Sequence, residues 1–324
     1  GVQLNEIDTS DFDNEEKLQS LLTQRYDFLG ETYDHRKKTM CSTRKTIEKL
    51  AATWASRSSW TYRQMVCHFG VLMYGSSTLR IDMSHRFASL RLLSSVVKRL
   101  QAAPGLWDAP LSDPLSPMVV AELTSWTECL SENAAVPIPT YETSECTRVI
   151  SVDASGWGFA ALYVDLLTGH TQIHQERWSA ASGLRGIGSV LTEPAGVKRA
   201  IYRFVQPDSE GAVLIQTDHE PLAQTNPRGY SKTWSYNEVH QAMRHFKARF
   251  EMQHIAGSSH PMDSPSRGEP LTQDSQASLA DKAKALIVTT TVVASRKTFG
   301  APLAGARYSG ISSAVGKSPP NVNT

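Results

Sequence analysis

The stretch VISVDASGWGFAALYV, residues 149–164, sets an apolar run against one carboxylate, Asp153, and follows it at once with Ser155-Gly156 and a second apolar run. Its β-branched and aromatic content makes strands of Arg148 to Ala154 and of Gly158 to Val164, with Ser155-Gly156 as the turn between them. A third strand, Thr171 to Trp178, comes after a turn at Leu167-Thr168-Gly169, so the segment reads as an antiparallel meander. An aspartate ending a strand is by itself a turn former or a helix cap. Only the residues downstream of Asp153 give it another meaning.

Beyond the meander, Thr192 is the expected N-cap of a helix with Pro194 in the first turn and Val197, Ala200, Ile201 and Phe204 on its buried face. Glu193, four residues before Val197, extends that sheet-facing stripe. GAVLIQTD, residues 211–218, is a continuous apolar run, as in a strand covered on both faces, and it ends at Asp218. A second amphipathic helix is expected to carry Tyr236, Val239, Met243, Phe246 and Phe250 on one side and Arg244, His245, Lys247 and Arg249 on the other. EMQHIAG then forms the last strand, and SSHPMDSPSRG turns into a short helix containing Asp263.

The resulting order of elements is three strands, helix, strand, helices, strand and helix. That is an α/β class with a mixed five-stranded sheet and flanking helices, and acidic residues stand at element ends. Sites in such sheets assemble at the carboxyl ends of strands. Asp153, Glu193, Asp218 and Asp263 converging there would repel one another unless cations neutralised them, and hard divalent ions suit oxygen ligands. Such a cluster holds two Mg²⁺ about 4 Å apart, the arrangement for in-line phosphodiester cleavage. One ion would lower the pKa of the attacking water and the other would stabilise the leaving oxygen.

VISVDAS, LTEPAGVKRAI, VLIQTDHEPL and HIAGSSHPMDSPSRG, taken in that order, resemble the four acidic motifs of the ribonuclease H domain of retroelement polyproteins. The resemblance covers about Arg148 to Gly268. It implies metal ligation and catalysis by Asp153, Glu193, Asp218 and Asp263, with Mg²⁺ as the ion and Mn²⁺ as a substitute. It also implies an endonuclease that cuts the RNA strand of RNA–DNA hybrids, leaving 3′-hydroxyl and 5′-phosphate ends and choosing the strand by its 2′-hydroxyls. Arg244, Lys247 and Arg249 are candidates for the hybrid's phosphates, against the plain alternative of a solvated helix face. His254 and His260 are candidates for the histidine that assists product release in some relatives, against ordinary surface positions. The chain departs from the pattern at His260, where relatives usually carry Asn, and at Pro194 and Gly196, which are expected to loosen the helix that aims Glu193.

Upstream, GVQLNEID and FLGETYDHRKKTM resemble the end of the palm and the thumb or connection region of retroelement reverse transcriptases, and the MDSPSRG ending resembles the tyrosine-recombinase, VIPER-like class. No Asp-Asp pair occurs in the chain, so the polymerase site is expected to lie outside it. Apolar repeats at Ile47, Leu50, Ala51 and Trp54, at Tyr62, Met65, Val66, Phe69 and Met73, at Leu90, Leu93, Val97 and Leu100, and at Val119, Leu123, Trp126 and Leu130 predict three or four packed helices after a short apolar segment. The expected divisions are a helical region over 1–133, a linker over 134–147, the nuclease-like domain over 148–268 and a flexible tail over 269–324.

With 324 residues, 40% apolar, the chain can bury a large core. A formal charge of +1 excludes a wholesale polycation but allows a local basic face. Cys41, Cys67, Cys129 and Cys146 are too scattered for a disulfide framework or a zinc site and read as reduced thiols of an intracellular protein, cytoplasmic or nuclear. No apolar run approaches the roughly 18 residues of a membrane span. Opening at Gly1 without a leader-like pattern, the chain reads as a piece of a longer polyprotein, whose remainder is an expected partner. Two other readings share the fold: a catalytically decayed module that only grips hybrids, and an integrase-like strand transferase. The order of the carboxylates counts against the latter, since integrases place the glutamate after the second aspartate and Glu193 precedes Asp218.

Overall fold

The computed structural model describes residues 25–138, 141–271, 273–287 and 292–296. The first eight residues, GVQLNEID, lie outside them. The chain opens with a small antiparallel meander, β1 (Arg25–Phe28), β2 (Glu31–Asp34) and β3 (Thr39–Ser42), where sequence periodicity predicts only a short apolar segment before a helix. The overlooked signal is Leu29-Gly30. Both residues have positive φ, 48° and 88°, the two-residue geometry whose twist matches that of paired strands.

Four helices follow: α1 (Arg44–Ala55), α2 (Tyr62–Leu79), α3 (Phe87–Ala102) and α4 (Pro117–Glu132). Their starts are written locally. The Thr61 side chain accepts from the Gln64 amide while Gln64 returns the bond, and Ser116 caps α4 with Pro117 in its first turn. Met65, Phe69, Leu72, Leu123, Trp126 and Leu130 fill the core between them. In α3 the expected Leu90 and Leu100 are buried and Leu93 packs against the core, but Val97 faces solvent and its neighbour Val96 is buried in its place. Ala51 is exposed as well.

The segment 134–147 is not a bare linker. β4 (Val136–Pro137) pairs with β3, and β5 (Tyr141–Ala154) begins seven residues before the expected Arg148. β5 continues into β6 (Gly158–Asp165) and β7 (Thr171–Arg177), then helix α5 (Ser189–Phe204), strand β8 (Ala212–Thr217), the single turn α6 (Glu220–Ala223), helix α7 (Trp234–Arg244), strand β9 (Arg249–His254) and the turn α8 (Asp263–Ser266). The order β7-β6-β5-β8-β9, antiparallel on the β7 side and parallel from β5 to β9, is the expected mixed five-stranded sheet with flanking helices.

Successive side chains of β5 divide between two cores. Ile150, Val152 and Ala154 pack under α5 and α7, whereas Val149 packs with Leu162, Leu214 and Met262 on the other face. That second face is covered by α9 (Gln273–Ala285), which inserts Ala280 and Ala283. The tail is therefore not flexible throughout. A further strand, β10 (Val292–Arg296), pairs with the start of β5.

Helix α7 stops at Arg244, short of the expected Phe250. The Lys247 and Arg249 amides bond to the carbonyls of Pro207 and Gly211, and sheet pairing begins at Arg249 opposite Ala212. Backbone pairing with β8 thus overrides the helical period, and no continuous basic helix face forms. Arg244 turns instead to the helical region, where its guanidinium binds the Asp82 carboxylate at 2.6 Å and the Ser84 hydroxyl at 2.8 Å. Gln241 adds a bond to the Ser84 carbonyl. This docking joins the two halves of the molecule. Both partners of the ion pair are largely covered, so removing one leaves the other poorly solvated. Arg244→Met is expected to lower the unfolding free energy by about 2 kcal/mol, and Asp82→Asn added to it should cost little more. Urea denaturation of the two single variants and the double variant measures the coupling.

Candidate metal centre

The sheet register places the first two carboxylates. Ser151 of β5 pairs with Gln216 of the parallel strand β8, so Asp153 and Asp218, each two residues farther on, emerge side by side at the carboxyl ends of adjacent strands. Glu193 arrives from α5, on the opposite face, and reaches the end of β5, where the Ala154 amide donates to both of its carboxylate oxygens at 3.2 Å. One ligand atom from each of Asp153, Glu193 and Asp218 falls in a group whose members all lie within 4.8 Å of one another.

Helix α5 starts earlier than the Thr192 cap predicts. Gly188 is its N-cap, and Pro194 therefore lies inside the helix. Pro194 has no amide to give the Val190 carbonyl, and the Ser235 hydroxyl at the head of α7 donates to that oxygen instead, at 2.8 Å. A Cβ on Gly196 would lie 3.0 Å from the Ala154 Cβ and 3.3 Å from that of Phe159. The proline and the glycine that sequence reading takes as loosening the helix thus join it to α7 and let it cross β5 closely, next to the bond that holds Glu193. At Gly257 a Cβ would come within 3.1 Å of Asp218 Oδ2, so that position too is kept small beside a carboxylate.

Asp153 and Glu193 are each 3% exposed. Burial, with the charges of Asp218 and Asp263 adding to it, pushes the Asp153 carboxyl up to about 7, although a hydrogen bond from Ser266 pulls the other way. Burial, then the charges of Asp153 and Asp218, pushes Glu193 up to about 10, opposed by the Ala154 amide and by Arg267. Among the described residues no ion pair reaches Asp153, Glu193 or Asp218. Hard oxygen donors crowded together, with Asp153 and Glu193 buried and none of the three in an ion pair, fit a divalent ion bound by oxygen.

The other expected site residues are scattered. Asp263 opens α8 beside the group but outside it, with its Oδ1 held by Arg267 at 2.8 Å. His254 is exposed at the end of β9. His260 is not a surface residue. It is buried, its Nδ1 accepting from the Met262 amide at 3.2 Å and its Nε2 lying 3.3 Å from the Gln216 carbonyl, and burial lowers its pKa. Lys247 is exposed and paired with Asp208, and Arg249 is partly buried on β9. Sequence reading passes over Ser266, Gly257 and Arg267. Only Arg267 carried a signal, its four-residue spacing from Asp263 on a helical turn.

No family model matches the chain, and no curated protein matches it. Among solved structures, it is similar to the N-terminal RNase H domain of rv2228c from Mycobacterium tuberculosis, solved as a fusion with maltose binding protein. Identity there is 12% and the TM-score 0.27, over 36% of this chain and 94% of that one. It is also similar to the foamy viral protease-reverse transcriptase in complex with RNA/DNA hybrid, at 13% identity and a TM-score of 0.26, over 78% of this chain and 31% of that one. The same viral enzyme in complex with double-stranded DNA gives 11% identity and a TM-score of 0.24, over 72% of this chain and 45% of that one. The chain spans less than half the length of these viral proteins. With scores this low, function rests on the chain's own geometry.

That geometry has two measurable consequences. Both buried carboxyls keep a proton in the folded chain at pH values where the unfolded chain, with carboxyls near 3.8 and 4.5, has lost it. The folded state then binds more protons, so without a cation stability falls as pH rises through about 7 and on toward 10. Thermal melts in chelator should show a lower Tm at high pH, Glu193→Gln should flatten that slope, and Mg²⁺ should raise the Tm more on the alkaline side. Equal slopes for parent and variant would contradict the cost of charging Glu193. Separately, Gly196→Val should force α5 off β5 and destabilise the fold by about 2 kcal/mol, read from denaturant midpoints.

Proposed function

We propose that the chain is a ribonuclease H-type nuclease of a retroelement reverse transcriptase, cutting the RNA strand of RNA–DNA hybrids with two Mg²⁺, for which Mn²⁺ can substitute. The observation that carries this proposal is the convergence of Asp153, Glu193 and Asp218, from two parallel strand ends and a helix, within 4.8 Å of one another, with Asp153 and Glu193 buried and Asp218 partly so. Four acidic motifs in the order of that family, each on the kind of element it occupies there, supply the substrate class.

Asp153 and Asp218, side by side at the sheet's end, would hold both ions, with Glu193 on the nucleophile side and Asp263 completing one shell. Bound there, divalent ions would lower the pKa of the attacking water and offset the charge on the leaving oxygen. The chain's own part is positional. The Ala154 amide fixes Glu193, the β5–β8 register fixes the spacing of the aspartates, and the packed helices keep bulk water from the buried side of the carboxylates. Phosphate contact falls to exposed Lys247 more readily than to Arg244, which is committed to Asp82. Assignment to the tyrosine-recombinase, VIPER-like class rests on the MDSPSRG ending alone.

The test is cleavage of an end-labelled RNA–DNA hybrid by the full chain in Mg²⁺. Asp153→Asn, Glu193→Gln and Asp218→Asn should each cut the rate by more than roughly a hundredfold while hybrid binding persists. Hybrid bound but not cut by the parent chain would sink the enzyme and leave the decayed binding module. An Asp153→Asn variant as fast as the parent would place the site elsewhere.

A further inference from the structure

The backbone on both sides of Arg267 is pinned to the turn after Asp153. The Ser155 hydroxyl donates to the Ser266 carbonyl at 2.7 Å, and a Cβ on Gly268 would lie 2.8 Å from the Trp157 ring. Between these anchors the Arg267 side chain is 67% exposed and grips one oxygen of Asp263, with Nε at 3.2 Å and Nη2 at 2.8 Å. Its positive charge is also felt by Asp153, Glu193 and Asp218. Asp263, so held, stands outside the group the other three carboxylates form.

We infer that Arg267 is a positioning residue that acts as an exchangeable counter-charge: its guanidinium holds Asp263 aside and faces the buried carboxylates, and divalent-ion entry displaces it, releasing Asp263 to the ion. The inference rests on the metal-centre proposal above. Two physical features support it. An exposed ion pair is worth little and breaks readily. An arginine, always charged, opposes a second cation at short range whatever the pH. The arrangement therefore sets a threshold for ion binding, and Asp263 is recruited only once a cation outcompetes the guanidinium.

The test is Mn²⁺ binding to the full 324-residue chain, followed by the loss of the free-ion signal in electron paramagnetic resonance, for parent, Arg267→Gln, Asp263→Asn and the double variant. Arg267→Gln should bind Mn²⁺ roughly three- to tenfold more tightly, as expected on freeing one carboxylate from a partly screened ion pair. Asp263→Asn should bind more weakly than the parent, and most of the gain from Arg267→Gln should vanish in the double variant, because the freed aspartate is what the ion gains. A residue that merely stiffens α8 would change the melting temperature and leave Mn²⁺ affinity where it was. Unchanged or weaker binding by Arg267→Gln, in a chain whose Mn²⁺ binding is abolished by Asp153→Asn, overturns the counter-charge role and spares the metal centre. Mn²⁺ binding that is absent in the parent, or indifferent to Asp153→Asn, overturns both.

Discussion

Keeping two carboxylates, Asp153 and Glu193, almost wholly out of water is the constraint to which the rest of this structure answers. An isolated buried charge costs far more than one hydrogen bond returns, so such groups either stay protonated or find a cation. Here the raised affinity for protons is the signature of that cost, and the partial compensations are visible. The Ala154 amide serves Glu193, and Ser266 serves Asp153. Neither removes the repulsion among the carboxylates. A site with these properties discriminates strongly between an ion present and an ion absent, because the ion relieves several unfavourable terms at once.

Such a site requires a frame that does not relax. The central strands β5 and β8 carry fully buried side chains on both faces, Ile150, Val152, Val213 and Ile215 toward α5 and α7, and Val149 and Leu214 toward α9. Packing at this density resists the small displacements that would let the carboxylates separate. The close crossing at Gly196 and the bond from Ser235 to the Val190 carbonyl extend the frame to α5. The same logic accounts for Arg244. A cation read from the sequence as a nucleic-acid contact is used to fasten the sheet domain to the helical region, where a charge-assisted pair at 2.6 Å fixes the orientation of the two halves.

Much of the fold was legible because its signals are local. Alternating runs, an apolar run closed by Asp218, and the repeats at Val119, Leu123, Trp126 and Leu130 correspond to β5, β6, β7, β8 and α4. The β1–β3 meander was missed although its signal, the Leu29-Gly30 turn, is local. The end of α7 at Arg244 and the early start of α5 were instead decided by pairing or bonding with residues distant in sequence, and a helical period counted along the chain carries no record of such a partner. His260 shows the same limit. A histidine beside a turn reads as surface, yet the chain folds it against the Gln216 carbonyl, where burial lowers its pKa.

By itself, the sequence determined the α/β class, the order of the acidic residues and their places at strand ends and on helices, because periodicity and turn chemistry act over a few residues. Only the tertiary structure decided which carboxylates meet. The β5–β8 register set Asp153 beside Asp218, and the crossing of α5 brought in Glu193. Asp263 is left outside their group. Distances of this kind arise from how whole elements pack, and burial gives the resulting cluster its chemistry by withdrawing the water that would otherwise screen it.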